Sequence, residues 1–239
     1  MNLHQTDPEF MERYERFAGD EVVHEPGQTL DARTRHMAIL AALLGCQGID
    51  EFREALPRAL DEGVTPVSYT HLIDVGSNQL APELRADPRV VSMEQTNARA
   101  LRPEMFELAP SLGVMDVSFI SIRLILPSAL AVLGARGRMV ALIKPQFEAG
   151  PSRLGKKGVV TDPAVHAEVL REAVAFAPSL GWRIRAIEPS PILGGSGNLE
   201  FLADFVPDGA SQEPPVGEDR IREVVRAAHR LRREAGAGR

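Results

Sequence analysis

Two short apolar runs, each ending in a charge and separated by a helical pattern, constrain this chain more than any other feature. The first, Leu112 to Val117, delivers Asp116 at its end. From Ile120 to Leu133 apolar residues recur at three- and four-residue spacing, which predicts a helix that Gly134 and Gly137 stop. A second run, Met139 to Ile143, then delivers Lys144. Strand, crossover helix, strand is the parallel unit of an open α/β sheet. Ligands of such sheets bind outside the carboxyl ends of the strands. Asp116 and Lys144 fall there, ahead of the stiff turn Pro145-Gln-Phe. An acid and an amine so placed read as a site or as a surface ion pair, and the two runs alone leave both readings open.

The 239 residues suffice for one large domain, or for a medium one with something attached. Hydrophobic content of 44% and charge of 25% are ordinary for a globular protein that buries a sizeable core. No apolar run approaches the roughly twenty residues of a membrane span, and Met1 to Gln5 do not begin a signal peptide, so a cytoplasmic protein without membrane attachment is expected. The single cysteine, Cys46, rules out an internal disulfide and a multi-cysteine metal site, and no metal is expected. Charge is uneven: residues 1–72 carry a net −7 and residues 73–239 a net +1. An acidic front on a near-neutral body suggests two parts with different partners. Lys144, Lys156 and Lys157 are the only lysines.

Taken in order, Asp7-Pro-Glu opens a first helix, with Phe10, Tyr14 and Phe17 as its apolar stripe. A second helix runs from Ala32 to Leu44 and a third from Asp50 to Glu62, ended by Gly63. Strand–helix alternation follows: a strand end at Ile73-Asp-Val-Gly, a helix at Ala81 to Ala86, a strand at Val90 to Glu94, and then the central pair. Pro163 to Ala177 reads as a helix, Trp182 to Glu188 and Leu199 to Val206 as strands. The link between those last strands is too short for a parallel crossover, so the final strand must be antiparallel. Residues 207–217 form a Pro/Gly/acid linker, and Glu218 to Glu234 an Arg-rich helix. Parallel strands closed by an antiparallel terminal hairpin resemble the layout of Rossmann-like methyltransferases, so the expected fold class is α/β: a truncated sheet of that kind with an antiparallel last strand, preceded by a small all-α three-helix segment.

The stretch from Ile73 to Phe205 resembles the methyltransferase domain of the haemolysin-A-type (TlyA-like) ribosomal RNA methyltransferases, within the FtsJ-like group. The resemblance rests on Asp74-Val-Gly-Ser-Asn-Gln-Leu, Leu84-Arg-Ala-Asp-Pro-Arg-Val, Thr96-Asn-Ala-Arg, Asp116-Val-Ser-Phe-Ile-Ser, Lys144-Pro-Gln-Phe-Glu, Gly158-Val-Val-Thr-Asp-Pro-Ala-Val-His and Gly197-Asn-Leu-Glu-Phe, in family order and spacing. It implies transfer of a methyl group from S-adenosyl-L-methionine to a ribose 2′-hydroxyl of ribosomal RNA, with the ribosomal subunit as partner. The family's chemistry uses a Lys–Asp–Lys–Glu tetrad. Asp116, Lys144 and Glu200 match its last three members as catalytic residues. A ribose hydroxyl is a weak nucleophile, so a lysine must take its proton while carboxylates orient that lysine. Cofactor contacts are implied for Asp74, on the ribose hydroxyls, for Asn97 on the adenine side, and for Asp116.

The resemblance also marks departures. The family's glycine-rich loop after its first strand, the tetrad's first lysine and the N-terminal RNA-binding domain have no counterpart here, which predicts weak or absent cofactor binding and leaves the activity of this chain in question. Lys156 and Lys157 align with an ordinary loop rather than with the lost lysine. The front, from about Asp7 to Val67, resembles the first half of a carboxymuconolactone decarboxylase-like (alkylhydroperoxidase-D-like) helical domain. That likeness rests on Thr29-Leu-Asp-Ala-Arg-Thr-Arg, Ala38-Ile-Leu-Ala-Ala-Leu-Leu-Gly-Cys-Gln-Gly and Gly63-Val-Thr-Pro-Val. Cys46 lacks the Cys-x-x-Cys partner that peroxidase chemistry requires, and reads as a small buried hydrophobe. His36 reads as structural. Val67-Ser-Tyr-Thr-His-Leu72 resembles an adapter remnant more than either family. The expected organisation is thus a helical half-domain over 1–67, a junction at 68–72, the methyltransferase domain over 73–206, and a linker with an Arg-rich helix over 207–239, most economically explained as a chimera. Two other functions remain beside methyl transfer: a helical decarboxylase or peroxidase, and a non-catalytic RNA-binding module using the basic tail.

Overall fold

The computed structural model describes residues 31–45, 49–64, 71–155, 158–210, 214 and 216–237. The first predicted helix, Cys46, Lys156, Lys157 and most of the junction lie outside the described residues. The chain divides into two compact units, residues 1–96 and 97–239.

In the first unit, helices α1 (Ala32–Gly45) and α2 (Ile49–Asp61) pack on each other. Asp31 starts α1, accepting from the Thr34 amide at 2.9 Å and the Thr34 hydroxyl at 2.6 Å, which satisfies donors the first helical turn leaves open. Gly63, at φ 82°, ends α2 and lets Val64 N–H reach back to the Ala59 carbonyl at 2.9 Å. Strand β1 (His71–Ile73), helix α3 (Pro82–Ala86) and strand β2 (Val91–Met93) follow, and the two strands pair in parallel from His71↔Val91 to Ile73↔Met93. They form a two-stranded sheet of their own.

The second unit is built on a four-stranded sheet of order β3-β4-β6-β5, with β3 (Leu112–Met115), β4 (Arg138–Ile143), β5 (Trp182–Pro189) and β6 (Phe201–Pro207). β3 and β4 are parallel, Leu112↔Arg138 to Met115↔Ala141, so the pair read from the sequence is adjacent. β6 runs antiparallel to both neighbours, as the short link before it requires. The expected continuous helix from Ile120 is instead a 3₁₀ turn, Ile122–Leu124, followed by α4 (Leu126–Leu133). Ser121 caps the turn, and Pro127 in the first turn of α4 fixes where the helix starts. Helix α5 (Pro145–Glu148) is one turn long; α6 (Pro163–Phe176) and α7 (Glu218–Ala237) are the long helices.

Strand alternation divides the sheet faces. Met139, Ala141, Ile143, Phe201, Ala203 and Phe205 join Leu126, Leu130, Leu170, Ile221 and Val224 in the core, so α4, α6 and α7 all contribute to the apolar side. On the opposite register Asp204, 4% exposed, accepts from Arg138 at 2.7 and 3.1 Å and from Arg185 at 2.8 Å. A carboxylate buried so deeply is tolerable only with such charged, directional partners. Among the described residues no helix is long and apolar enough to cross a membrane.

Candidate active site

The carboxyl edge of the four-stranded sheet gathers the three predicted catalytic residues. Asp116 follows the last residue of β3 and Lys144 the last residue of β4, on adjacent parallel strands. Lys144 Nζ lies 2.6 Å from Asp116 Oδ1 and donates to Ser118 Oγ at 3.2 Å. Because β6 is antiparallel, its beginning reaches this same edge: Ile143 pairs with Phe201, and Lys144 and Glu200 are the next residues outward on each strand.

Glu200 is 8% exposed and accepts from Gln146 Nε2 at 2.8 Å. Burial pushes its carboxyl above the usual range, opposed by the Gln146 hydrogen bond and the positive charge of Lys144, while the negative charge of Asp116 adds to the upward shift. The three side chains thus act on one another electrostatically, with Asp116 in direct contact with Lys144 and Glu200 held by Gln146.

The turn after Lys144 supports this edge. Glu148, at the end of α5, accepts from Ser121 Oγ at 2.6 Å and from Ile122 N–H at 2.8 Å, tying α5 to the segment that follows Asp116. Between them Phe119 has φ 62°, a left-handed conformation costing about 1 kcal/mol or more for a bulky residue. The residue is 91% exposed, and its ring sits 5.1 Å from that of Phe147, tilted. Sequence reasoning passed over Phe119, Ser118 and Gln146. The signal for Gln146 was its place in the turn after Lys144; an exposed phenylalanine cannot be told from a core one by pattern alone.

The residues expected to contact the cofactor are described unit by unit. In the first, Asp74 lies just beyond β1, exposed, its backbone tied to β2 by Asp74 N–H to Met93 O at 3.1 Å. Its Oδ1 accepts from Gly76 N–H at 2.6 Å, and no hydrogen bond to Oδ2 occurs among the described residues. A Cβ at Gly76 would stand 3.0 Å from Asp74 Oδ1, so the backbone approaches the acid closely. A carboxylate with an uncommitted oxygen at a parallel strand's carboxyl end fits a ribose diol. In the second unit Asn97 Oδ1 caps the turn Ala98–Ala100, accepting from Arg99 N–H at 3.1 Å.

Comparison with known proteins bears on this arrangement. The chain is 39% identical over 156 residues to the 16S/23S rRNA (cytidine-2′-O)-methyltransferase TlyA of Mycobacterium tuberculosis (strain ATCC 25618 / H37Rv), covering 61% of this chain and 58% of that protein. It is 42% identical over 137 residues to Hemolysin A of Brachyspira hyodysenteriae, covering 57% of each chain. It therefore spans less than two thirds of the length of these curated relatives. A solved structure of a protein named as a hemolysin from Streptococcus thermophilus superposes with a TM-score of 0.69 at 34% identity, covering 88% of this chain and 79% of that one. Residues 70–205 match the model of the FtsJ-like methyltransferases, and the chain belongs to that family.

Proposed function

We propose that this chain carries the catalytic domain of an S-adenosylmethionine-dependent RNA 2′-O-methyltransferase acting on ribosomal RNA, and hence works in the cytoplasm. The observation that carries the reading is the 2.6 Å contact of Lys144 with Asp116 at the carboxyl ends of adjacent parallel strands, with Glu200 beside them in register. Relatives named as rRNA 2′-O-methyltransferases and the family match support it.

Bound S-adenosylmethionine supplies a methyl group on a positively charged sulfur. Lys144 meets the ribose 2′-hydroxyl. Lys144, its nitrogen entering the step as the neutral amine, would take the hydroxyl proton as the oxygen accepts the methyl group and the sulfur keeps the electron pair of its former bond; the ammonium so formed is the partner that the Asp116 carboxylate holds. Asp116 and Ser118 fix the direction of that nitrogen, and Glu200 supplies a second negative charge across the strand pair. Positioned proton transfer of this kind contributes roughly 10²–10⁴-fold in rate. In-line placement of the hydroxyl supplies much of the rest. Asp74 and Asn97 are the residues we assign to the cofactor's ribose and adenine.

The exposed ring of Phe119 beside this edge suits a base of the substrate strand. Single-stranded RNA is commonly read by stacking unpaired bases on aromatic side chains, each worth about 1–3 kcal/mol. The reading is tested by incubating the chain with tritiated S-adenosylmethionine and purified ribosomal RNA. Label in alkali-resistant dinucleotides, the signature of a blocked 2′-hydroxyl, supports it. Label confined to bases would exclude it.

A further inference from the structure

The C-terminal helix α7 has spent its apolar side on the core. Ile221, Val224, Val225 and Ala228 are all at most 4% exposed. Its first turn is anchored by ion pairs: Arg171 Nε to Glu218 at 2.7 Å, Arg222 to Glu218 at 3.0 Å, and Arg220 to Glu188. Beyond Glu223 the charge changes character. From Val224 to Arg233 the sequence has no acid and four arginines. Three of these, Arg226, Arg230 and Arg233, are exposed and make no ion pair among the described residues. Spacings of four and three residues put them on one face of a helix, spread over about 10 Å.

The helix also has a direction. Glu218 lies against Arg171, in the body of α6, whereas His229 Nε2 lies 3.2 Å from Nδ1 of His166, in the first turn of α6. The His166 ring in turn packs at 5.8 Å against Phe201, the residue after Glu200. α7 therefore runs antiparallel to α6, and its arginine-bearing half points toward the carboxyl edge of the sheet, where Lys144 and Glu200 lie.

We infer that Arg226, Arg230 and Arg233 form a track for the phosphate backbone of the RNA strand entering the site. Guanidinium groups meet phosphates with two parallel hydrogen bonds, and a straight row of them matches a row of phosphates. A membrane surface is a poorer fit. An amphipathic helix binds there through its apolar face, and in α7 that face is already buried. This assignment rests on the methyltransferase reading for the identity of the polyanion.

The test is fluorescence anisotropy with a labelled 20-nucleotide single-stranded RNA of mixed sequence, titrated with the full chain between 25 and 200 mM KCl. Three exposed arginines neutralised together as R226Q/R230Q/R233Q lower the slope of log affinity against log salt by about 2, since each single-strand phosphate contact contributes about 0.7. Arg136→Gln, which neutralises an exposed arginine before β4 at the opposite edge, leaves the slope unchanged. An unchanged slope in the triple variant, an equal drop in Arg136→Gln, or no RNA binding by the wild type overturns the proposal. Equal affinity for a 20-residue polyglutamate overturns it too, since the stripe is then a general anion or acidic-protein surface. Circular dichroism confirms that the triple variant is folded. Tritium transfer is scored separately. Methylation with an unchanged salt slope sinks the phosphate track alone, and a stripe-dependent slope without methylation sinks the methyltransferase reading alone.

Discussion

Gly194 lies directly against the carboxylate of Glu200: a Cβ at this position would stand 2.7 Å from Oε1 and 3.1 Å from Cδ. The loop is drawn over the acid by Gly194 N–H to Asn198 O at 2.9 Å, and Asn198 Oδ1 in turn accepts from Val160 N–H at 3.2 Å. Gly194→Ala should therefore displace Glu200 or the loop. The expected result is at least a tenfold loss of methyl transfer with a thermal midpoint within about 3 °C of wild type. Parallel rate and melting measurements check it.

Gln146→Met removes the Nε2 donor from Glu200 while keeping side-chain length. One charge-assisted hydrogen bond is worth about 1.5–3 kcal/mol, so the rate should fall roughly ten- to a hundredfold. The donor favours the ionised acid, and its loss adds to the upward shift that burial already imposes. The acid limb of the pH–rate profile should then move to higher pH. A slower variant with an unmoved acid limb would mean that Gln146 does not act through Glu200.

The buried Asp204 between Arg138 and Arg185 is a stability element rather than a site. Asp204→Ala leaves two largely buried guanidinium groups without their carboxylate. Breaking a buried pair from one side costs about 3–5 kcal/mol, and urea denaturation should show a loss of that order.

His166 has no exposed surface, and burial foremost, with the charges of Arg232 and the His229 ring, lowers its pKa to about 4; the backbone and carboxylate of Asp162 oppose this. Its folded-state value lies below the ordinary 6.5, so the neutral form is the one the fold favours. The resulting stability is complete above pH 6.5 and is lost as pH falls from there toward 4. Docking of α7 on α6 should weaken across that window, and His166→Gln should flatten the dependence. Melting temperature against pH, for both proteins, is the measurement.

The meeting of Asp116 and Lys144 at one sheet edge was legible because two charges terminating apolar runs on either side of a helical pattern leave few places in an α/β sheet for them to go. The antiparallel direction of β6 followed from a connection too short to cross over, whereas the register that sets Glu200 beside Lys144 had no signal in the strand pattern, Glu200 being named by the family resemblance alone. Other features had no local signature. Phe119 reads as a core residue until the left-handed backbone at that position turns its ring outward. Gly194 resembles any glycine in a flexible loop, because its role depends on an acid placed by a different part of the chain. The start of α4 was misjudged because the apolar spacing continues through the 3₁₀ turn, and only Pro127 and the Ser121 cap separate the two.

The central claim, that Lys144 held by Asp116 takes the ribose proton, is tested most directly by single-turnover methyl transfer with Lys144→Met at saturating RNA and millimolar cofactor, so that weak cofactor binding does not intervene. The account predicts a rate at least a hundredfold below wild type, with RNA affinity unchanged within twofold. A variant that methylates the 2′-hydroxyl within threefold of the wild-type rate would contradict it.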